Sequence, residues 1–357
     1  MDTNGFGYEI DFLPVGNGGK SGDAIAIRYG YPNNYTVMVI DGGTKDSGKE
    51  LVEHIRKYYK TNIVDYVINT HPDADHASGL TEVLNNLDVK QLWMHRPWEH
   101  SADIRESFKD GRITENSLYN RLQEALNHAY NLEKIALEKG MQIREPFEGE
   151  KIGEFVVLSP TKYWYQELLS DFRSTPVTKG SSFQAILESG KGILTKIKDL
   201  WSEDTIDESG KTAAENESSV ILYANLEGHK ILLTGDAGIQ GLNKAADYAE
   251  SIGIDLTECK FIQIPHHGSK RNVSPIVLNR IVGKIVEEGS PKTKTAYVSA
   301  AKSSDKHPRP AVTNAFIRRG AKVIATKGKP QRSAYNMPNR EGWVPATQME
   351  FIEEIDG

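Results

Sequence analysis

Asn69-Thr70-His71-Pro72-Asp73-Ala74-Asp75-His76-Ala77-Ser78-Gly79 sets two histidines and two aspartates within six positions, in the pattern H-x-D-x-D-H. The run before it, Ile63-Val64-Asp65-Tyr66-Val67-Ile68, reads as a buried strand, and Leu80 to Leu87 has helical potential. The four side chains therefore sit at the carboxyl end of a strand, on a tight loop leading into a helix. Open sheets place their chemistry there. Imidazole nitrogen together with carboxylate oxygen suits borderline-to-hard divalent metals. A single histidine in such a loop would be read as a solvated strand-end residue. Four ligand-type residues at this density predict a metal site.

Working outward, short apolar or alternating runs at Tyr8–Leu13, Ala24–Tyr29 and Tyr35–Ile40 predict strands. Between the first two, Val15-Gly16-Asn17-Gly18-Gly19-Lys20-Ser21-Gly22-Asp23 lacks the spacing of a phosphate-binding loop. It reads as a flexible hairpin loop near the site. The third strand ends in Asp41-Gly42-Gly43, where glycines permit a sharp turn. Val89–Met94 is another strand. From about Pro97 to Gly140 the chain is mainly helical, with Leu118, Leu122, Ala125, Ala129 and Leu132 forming a packing stripe. Phe155–Leu158 is a strand. Thr161 to Glu215 loses the strand rhythm and carries Gly180-Ser181-Ser182, Ser189-Gly190 and the acidic run Ser202–Gly210, so it reads as a partly mobile insertion. Strands resume at Ser219–Ala224, Lys230–Thr234, Lys260–Ile264, Thr295–Ser299 and Lys322–Thr326. Two strand-rich halves with intervening helices predict two packed sheets with helices outside.

Composition narrows the function classes. The chain has 357 residues and a net charge of −6, which argues against a protein that coats nucleic acid electrostatically. It still permits an enzyme with a local basic groove. No apolar run approaches a membrane span, and Met1–Gly5 shows no basic region followed by an apolar core. The single cysteine, Cys259, excludes an internal disulfide and reads as a small core residue. The expected setting is a reducing cytoplasm.

Three further segments repeat the logic of a buried strand ending in ligand-type residues. Leu232-Leu233-Thr234-Gly235-Asp236 delivers a carboxylate, Ile264-Pro265-His266-His267-Gly268-Ser269 delivers imidazoles, and Asp41 follows its own strand. Singly, an aspartate after a strand is as often a turn residue. Jointly, the set is a constellation.

In this order, with Asn216-Glu217-Ser218-Ser219 before Leu232–Asp236 and His307-Pro308 after His266–Ser269, the chain resembles the metallo-β-lactamase superfamily. More narrowly it resembles the soluble metallohydrolase domain of ComEC-type DNA-uptake proteins and their stand-alone relatives. The opening Phe12-Leu13-Pro14-Val15-Gly16 is similar to that family's first strand. The resemblance implies an α/β fold, an αββα four-layer sandwich forming a single domain over residues 1–357. Its helical and irregular insertions would lie at about 97–150 and 161–215. It implies two divalent metal ions per chain, zinc or manganese. His71 and Asp73 would hold the first ion, Asp75 and His76 the second, Asp236 would bridge both, and His267 would complete the second site. Asp41 would orient ligands, with His266 and Ser269 as supporting or phosphate-contacting neighbours.

Two departures from the family bear on the metal. Asp73 stands where the commoner loop, H-x-H-x-D-H, has an imidazole, and Asn216–Ser219 stands where a further histidine is usual. The first site is therefore harder, which raises the case for manganese. The catalytic residues would be Asp75 and His307, the latter as general acid or phosphate contact; a structural histidine before a proline is the alternative. Lys270 and Arg309 are further phosphate-contact candidates.

The implied chemistry is phosphodiester hydrolysis by a hydroxide shared between two ions, acting on DNA or a nucleotide phosphodiester. Hydrolysis of a small molecule, such as a cyclic nucleotide or lactone, is a second reading. A largely non-catalytic subunit of a bacterial DNA-uptake or phage-defence assembly, with the insertion as partner surface, is a third.

Overall fold

The computed structural model describes residues 5–16, 21–108, 110–176 and 196–356. Its strands, in chain order, are β1 (Gly7–Phe12), β2 (Ala24–Tyr31), β3 (Asn34–Gly42), β4 (Ile63–Asn69), β5 (Asp88–Met94), β6 (Gln142–Arg144), β7 (Lys151–Ile152), β8 (Phe155–Ser159), β9 (Lys196–Lys198), β10 (Ile221–Leu226), β11 (His229–Leu233), β12 (Phe261–Gln263), β13 (Lys294–Val298), β14 (Ala321–Ala325), β15 (Gln331–Tyr335) and β16 (Glu354–Asp356). They make one seven-stranded sheet ordered β15-β1-β2-β3-β4-β5-β6 and a second ordered β14-β13-β12-β11-β10-β8-β7, with β16 and β9 as a separate pair.

Alternation along the strands explains the layering. In β2, Ile25 and Ile27 face the opposite sheet, while Ala24 and Ala26 face the helices; in β3, Met38 and Ile40 take the first side and Val37 and Val39 the second. The inter-sheet core joins these residues and Phe12 to Leu222, Ile231, Leu233 and Phe261. Outside the first sheet lie the helices Lys45–His54, Leu80–Asn86, Glu115–Ala125 and Asn127–Glu138, burying Leu51, Leu84, Leu122 and Leu132. Outside the second lie Ile239–Ser251, Pro275–Ile281 and Pro310–Ile317, burying Leu242, Leu278 and Phe316. The result is the αββα four-layer sandwich. Cys259 is a buried member of the second helix-facing core.

The packing stripe of the first helical region differs from expectation at one point. The helix breaks at Leu126 (φ −105°, ψ 38°). That break turns Ala125 to solvent and puts Leu126 into the core. A single 3.6-residue period cannot span a break in the backbone.

The stretch 161–215 also differs. Its middle, residues 177–195, with both Ser-Gly clusters, lies outside the described residues, as do 17–20 of the glycine-rich loop. The described flanks are packed. Tyr165, Leu169 and Phe172 join the first core, and Ile206 joins the second. In the acidic run, Asp204 receives Arg318 Nη1 at 3.0 Å and Arg319 Nη2 at 2.6 Å, while Asp199 receives Arg318 Nη2 at 2.6 Å. Arg318 is fully buried. Two carboxylates of the stretch that reads as a partly mobile insertion instead neutralise a buried guanidinium. Among the described residues, no helix is long and apolar enough to cross a membrane.

Candidate metal centre

The topology gathers the chemistry at one edge. β3, β4 and β5 run parallel, as do β11, β12, β13 and β14, so their carboxyl ends carry Asp41, His71–His76, Asp236 and His266–His267. β2 is antiparallel to β3 and pairs Ala24 with Gly42, which brings its amino end, with Asp23, to the same edge. One backbone bond stitches the two sheets' edges, Val220 N donating to Thr70 O at 3.1 Å, and within the second sheet His266 N donates to Gly235 O at 3.2 Å.

The backbone accepts strain to hold these residues. Asp41, His266 and His267 have φ of 54°, 45° and 56°, a region that side-chain-bearing residues rarely adopt. The metal-loop turn also requires glycine. A Cβ on Gly79 would lie 1.9 Å from Gly42 O, so only two glycines allow this approach.

Asp236 is the hub. Its Oδ2 lies 3.4 Å from His76 Nε2, 3.5 Å from His267 Nε2, and 3.9 Å from both His71 Nε2 and His266 Nε2. Burial opposes its charge, yet the imidazoles of His267, His266 and His76 hold its carboxyl well below the usual range. The Asp236 turn is fixed through its main chain: Asp236 N donates to Ser219 Oγ, and Asn272 Nδ2 donates to Asp236 O. Asp75 approaches from the metal loop, its ligand atom within 4.8 Å of those of His76 and His267.

Asp41 is fully buried and accepts three bonds, from Thr70 N (2.8 Å), Thr70 Oγ1 (2.6 Å) and His76 Nδ1 (2.8 Å). The last fixes His76 with Nδ1 protonated, leaving the Nε2 lone pair facing Asp236. A carboxylate behind a ligating histidine is the usual arrangement in metal sites.

The donor set leaves several buried atoms unsatisfied. His71 Nε2, His76 Nε2, His267 Nδ1, Asp236 Oδ1 and Asp23 Oδ1 are all buried without a hydrogen-bond partner. Orphaned polar atoms at this density are costly. A divalent cation would satisfy nitrogen lone pairs and carboxylate oxygens together. The residues fit.

Asp73 is placed differently from the expected ligand. Its carboxylate accepts two bonds from Arg173 Nη2, at 3.1 and 3.0 Å, and Arg173 Nε also pairs with Glu215 at 3.2 Å. Asp73 stands just before the short helix Ala74–Ala77, where its main chain accepts from His76 N and Ala77 N and its side chain turns outward. In this structure it is an ion-pair partner, and it belongs to none of the potential ligand groups among the described residues.

The Asn216–Ser219 segment, which replaces a ligand, serves the site indirectly. Asn216 Nδ2 meets His266 Nδ1 at 2.7 Å and so orients that ring. Glu217 turns away, and its Oε2 accepts from Gly241 N at the start of the helix Ile239–Ser251. Burial pushes its carboxyl up to about 7, against the backbone amides of Gly241, Gln240 and Gly238. Ser269 Oγ accepts from Arg271 N, a turn contact.

His307 lies on the loop after β13, half-buried, its ring centroid 6.3 Å from that of His266. Burial, and then the nearby His267, His266 and Arg309, push its imidazole down to about 4. A ring with that value is neutral at pH 7 and can donate a hydrogen bond but holds no spare proton. The contact role suits it better than the general-acid role.

Sequence reasoning missed Asp23, which is buried, and Gln263, which links it to the Asp236 turn. Asp23 ends the glycine-rich run that read as a flexible loop. The available signal was Gly22, whose Cβ would lie 2.0 Å from Asp75 O.

Residues 18–157 match the model of the metallo-beta-lactamase superfamily. ComE operon protein 3 of Bacillus subtilis (strain 168) is 27% identical over 143 residues, which cover 40% of this chain and 16% of that protein's length. Among solved structures, the metallo-beta-lactamase fold protein YhfI from Bacillus subtilis aligns with 92% of this chain and 100% of its own, at 11% identity and a TM-score of 0.43. Unliganded yeast PDE1 aligns with 89% of this chain and 97% of its own, at 12% identity and a TM-score of 0.42.

Proposed function

We propose that this chain, whose residues 18–157 match the model of the metallo-beta-lactamase superfamily, is a metal-dependent phosphodiesterase that acts on single-stranded nucleic acid. The observation that carries the hydrolase reading is the set of partnerless buried atoms around Asp236. His71, Asp75, His76, Asp236 and His267 would hold two divalent ions. Bound there, such ions lower the pKa of water and offset charge on a phosphoryl oxygen. Asp41 keeps His76 in its ligating tautomer, and His307 offers its ring to a phosphoryl oxygen as a neutral donor. No side-chain nucleophile is required.

The nucleic-acid part is supported by a surface groove. A cavity of about 540 Å³ is lined by Lys327, Lys329, Tyr58 and Trp343, among others. A neighbouring one of about 580 Å³ is lined by Lys57, Lys60 and Arg340. Arg340 packs against both aromatic rings, 4.4 Å from the Tyr58 centroid and 4.8 Å from that of Trp343, but its guanidinium is buried and paired with Glu9 and Asp11, so it braces the rings and the lysines are the cations left for phosphate. Lys327 Nζ also donates to His307 O at 2.8 Å, which ties the groove to the catalytic loop. Cations interleaved with aromatic faces suit a single strand, whose phosphates and bases they engage separately.

The test is binding of a fluorescent oligothymidylate to chelated protein at several salt concentrations, alongside hydrolysis of a phosphodiester panel by manganese-loaded protein. Affinity should fall steeply with salt, and Trp343→Ala should weaken it about 5- to 100-fold, the worth of one stacked base. Cleavage of cyclic nucleotides or lactones without oligonucleotide binding would favour the small-molecule reading. Stable complex formation without turnover would favour a non-catalytic subunit.

A further inference from the structure

We infer that Asp23 is an additional metal ligand, placed by Gln263, and that it turns the ion held by Asp236 and His267 from a zinc site into one that selects manganese. The inference rests on the metal-centre reading above and deepens it.

Asp23 is 2% exposed, and its Oδ1 has no hydrogen-bond partner. Its ligand atom lies within 4.8 Å of those of Asp236 and His267. The other oxygen, Oδ2, accepts from Gln263 Nε2 at 2.9 Å. Gln263 cannot turn its amide over, because its Oε1 already accepts from Thr234 N at 2.9 Å and Gly235 N at 3.1 Å. The same side chain therefore fixes the turn that presents Asp236 and aims a donor at one oxygen of Asp23, leaving the other for a cation. Packing holds the aspartate from its other flank. Gly22 lies against Asp75 O so closely that any Cβ there would clash with the metal loop. On the next strand, Asp41 takes His76 Nδ1 at 2.8 Å, whereas Asp23 Oδ2 is 4.0 Å from that nitrogen. Asp41 thus already serves the histidine, and Asp23 is left without that task.

The consequence is a change in ligand count and hardness. Asp75, His76 and His267 lie within ligand range of one another, as do Asp23, Asp236 and His267; with Asp236 shared between ions, Asp75, His76, Asp236 and His267 would supply four donors, enough for tetrahedral zinc. Asp23 adds a fifth donor and a third carboxylate. Carboxylate-rich sites of higher coordination suit manganese, while zinc gains little from a ligand beyond its fourth.

The experiment is calorimetric titration of the chelated full chain with manganese and, separately, with zinc. Asp23→Asn keeps the shape and removes the charge. Its manganese affinity should fall roughly 10- to 100-fold, the range for losing a metal-site partner, while its zinc affinity should fall less than about threefold. Near-UV circular dichroism of the chelated variant checks the fold. If Asp23→Asn fails that check, Gln263→Glu replaces it. That variant keeps acceptors for Thr234 N and Gly235 N but repels Asp23 from its position, and it should show the same selective loss. Manganese affinity within threefold of the parent's, or equal loss of both metals, overturns the proposal. A parent chain that binds neither metal instead overturns the metal-centre reading on which it rests.

Discussion

Asp236→Ala should abolish hydrolysis, lowering the rate by at least about three orders of magnitude while leaving the fold intact. Four imidazoles approach one oxygen of this carboxylate at 3.4 to 3.9 Å, so its removal takes away the only negative charge among the described residues that all four share at these distances. Residues that act as a unit lose nearly everything when one is removed. The fold should survive, because Ser219 and Asn272 hold the turn through main-chain atoms of Asp236 that alanine also possesses. The measurement is kcat on a nitrophenyl phosphodiester with manganese in excess, paired with circular dichroism. A folded variant within tenfold of the parent would refute Asp236 as the hub.

The second large effect falls on His307. His307→Ala should retain full metal content and lose about 10²–10³-fold in rate, the cost of one hydrogen-bond donor to a developing oxyanion. Burial, and then the nearby His267, His266 and Arg309, hold this ring near 4, so it is neutral at pH 7. A neutral donor helps whatever the leaving group. The loss should therefore be as large on nitrophenyl esters as on natural phosphodiesters. It should also leave the pH–rate profile unchanged in shape between pH 5 and 8. A loss confined to poor leaving groups would restore the general-acid role, and a loss of metal in proportion to activity would make His307 a ligand.

That the site's side chains would gather at one edge was legible because they are punctuated by strands. His71, His76, Asp236 and His267 each follow a short apolar run, and alternation along β2 and β3 announced two faces to bury. The illegible parts share a different cause: they are made by contacts distant in sequence. Asp73 reads as a ligand within its motif, and nothing near it predicts that Arg173, a hundred residues on, would take its carboxylate. Asp23 hides in a glycine-rich run, and its burial depends on Gln263, 240 residues away. β15 is polar and carries no strand alternation. It pairs with β1 because Arg332 reaches Glu9, a buried charge that also receives Arg28 and Arg340. The acidic run near residue 204 reads as part of a mobile insertion for the same reason, since its partner Arg318 lies over a hundred residues further along.

The central claim is that partnerless nitrogen and oxygen atoms around Asp236 form a metal centre. Native mass spectrometry of the purified chain, before and after loading with manganese or zinc, tests it most directly. One ion should be retained through purification and a second should appear on loading, because His71 is left without Asp73 as partner. His267→Ala should lose the retained ion. A folded parent chain that carries no metal in any of these states would contradict it.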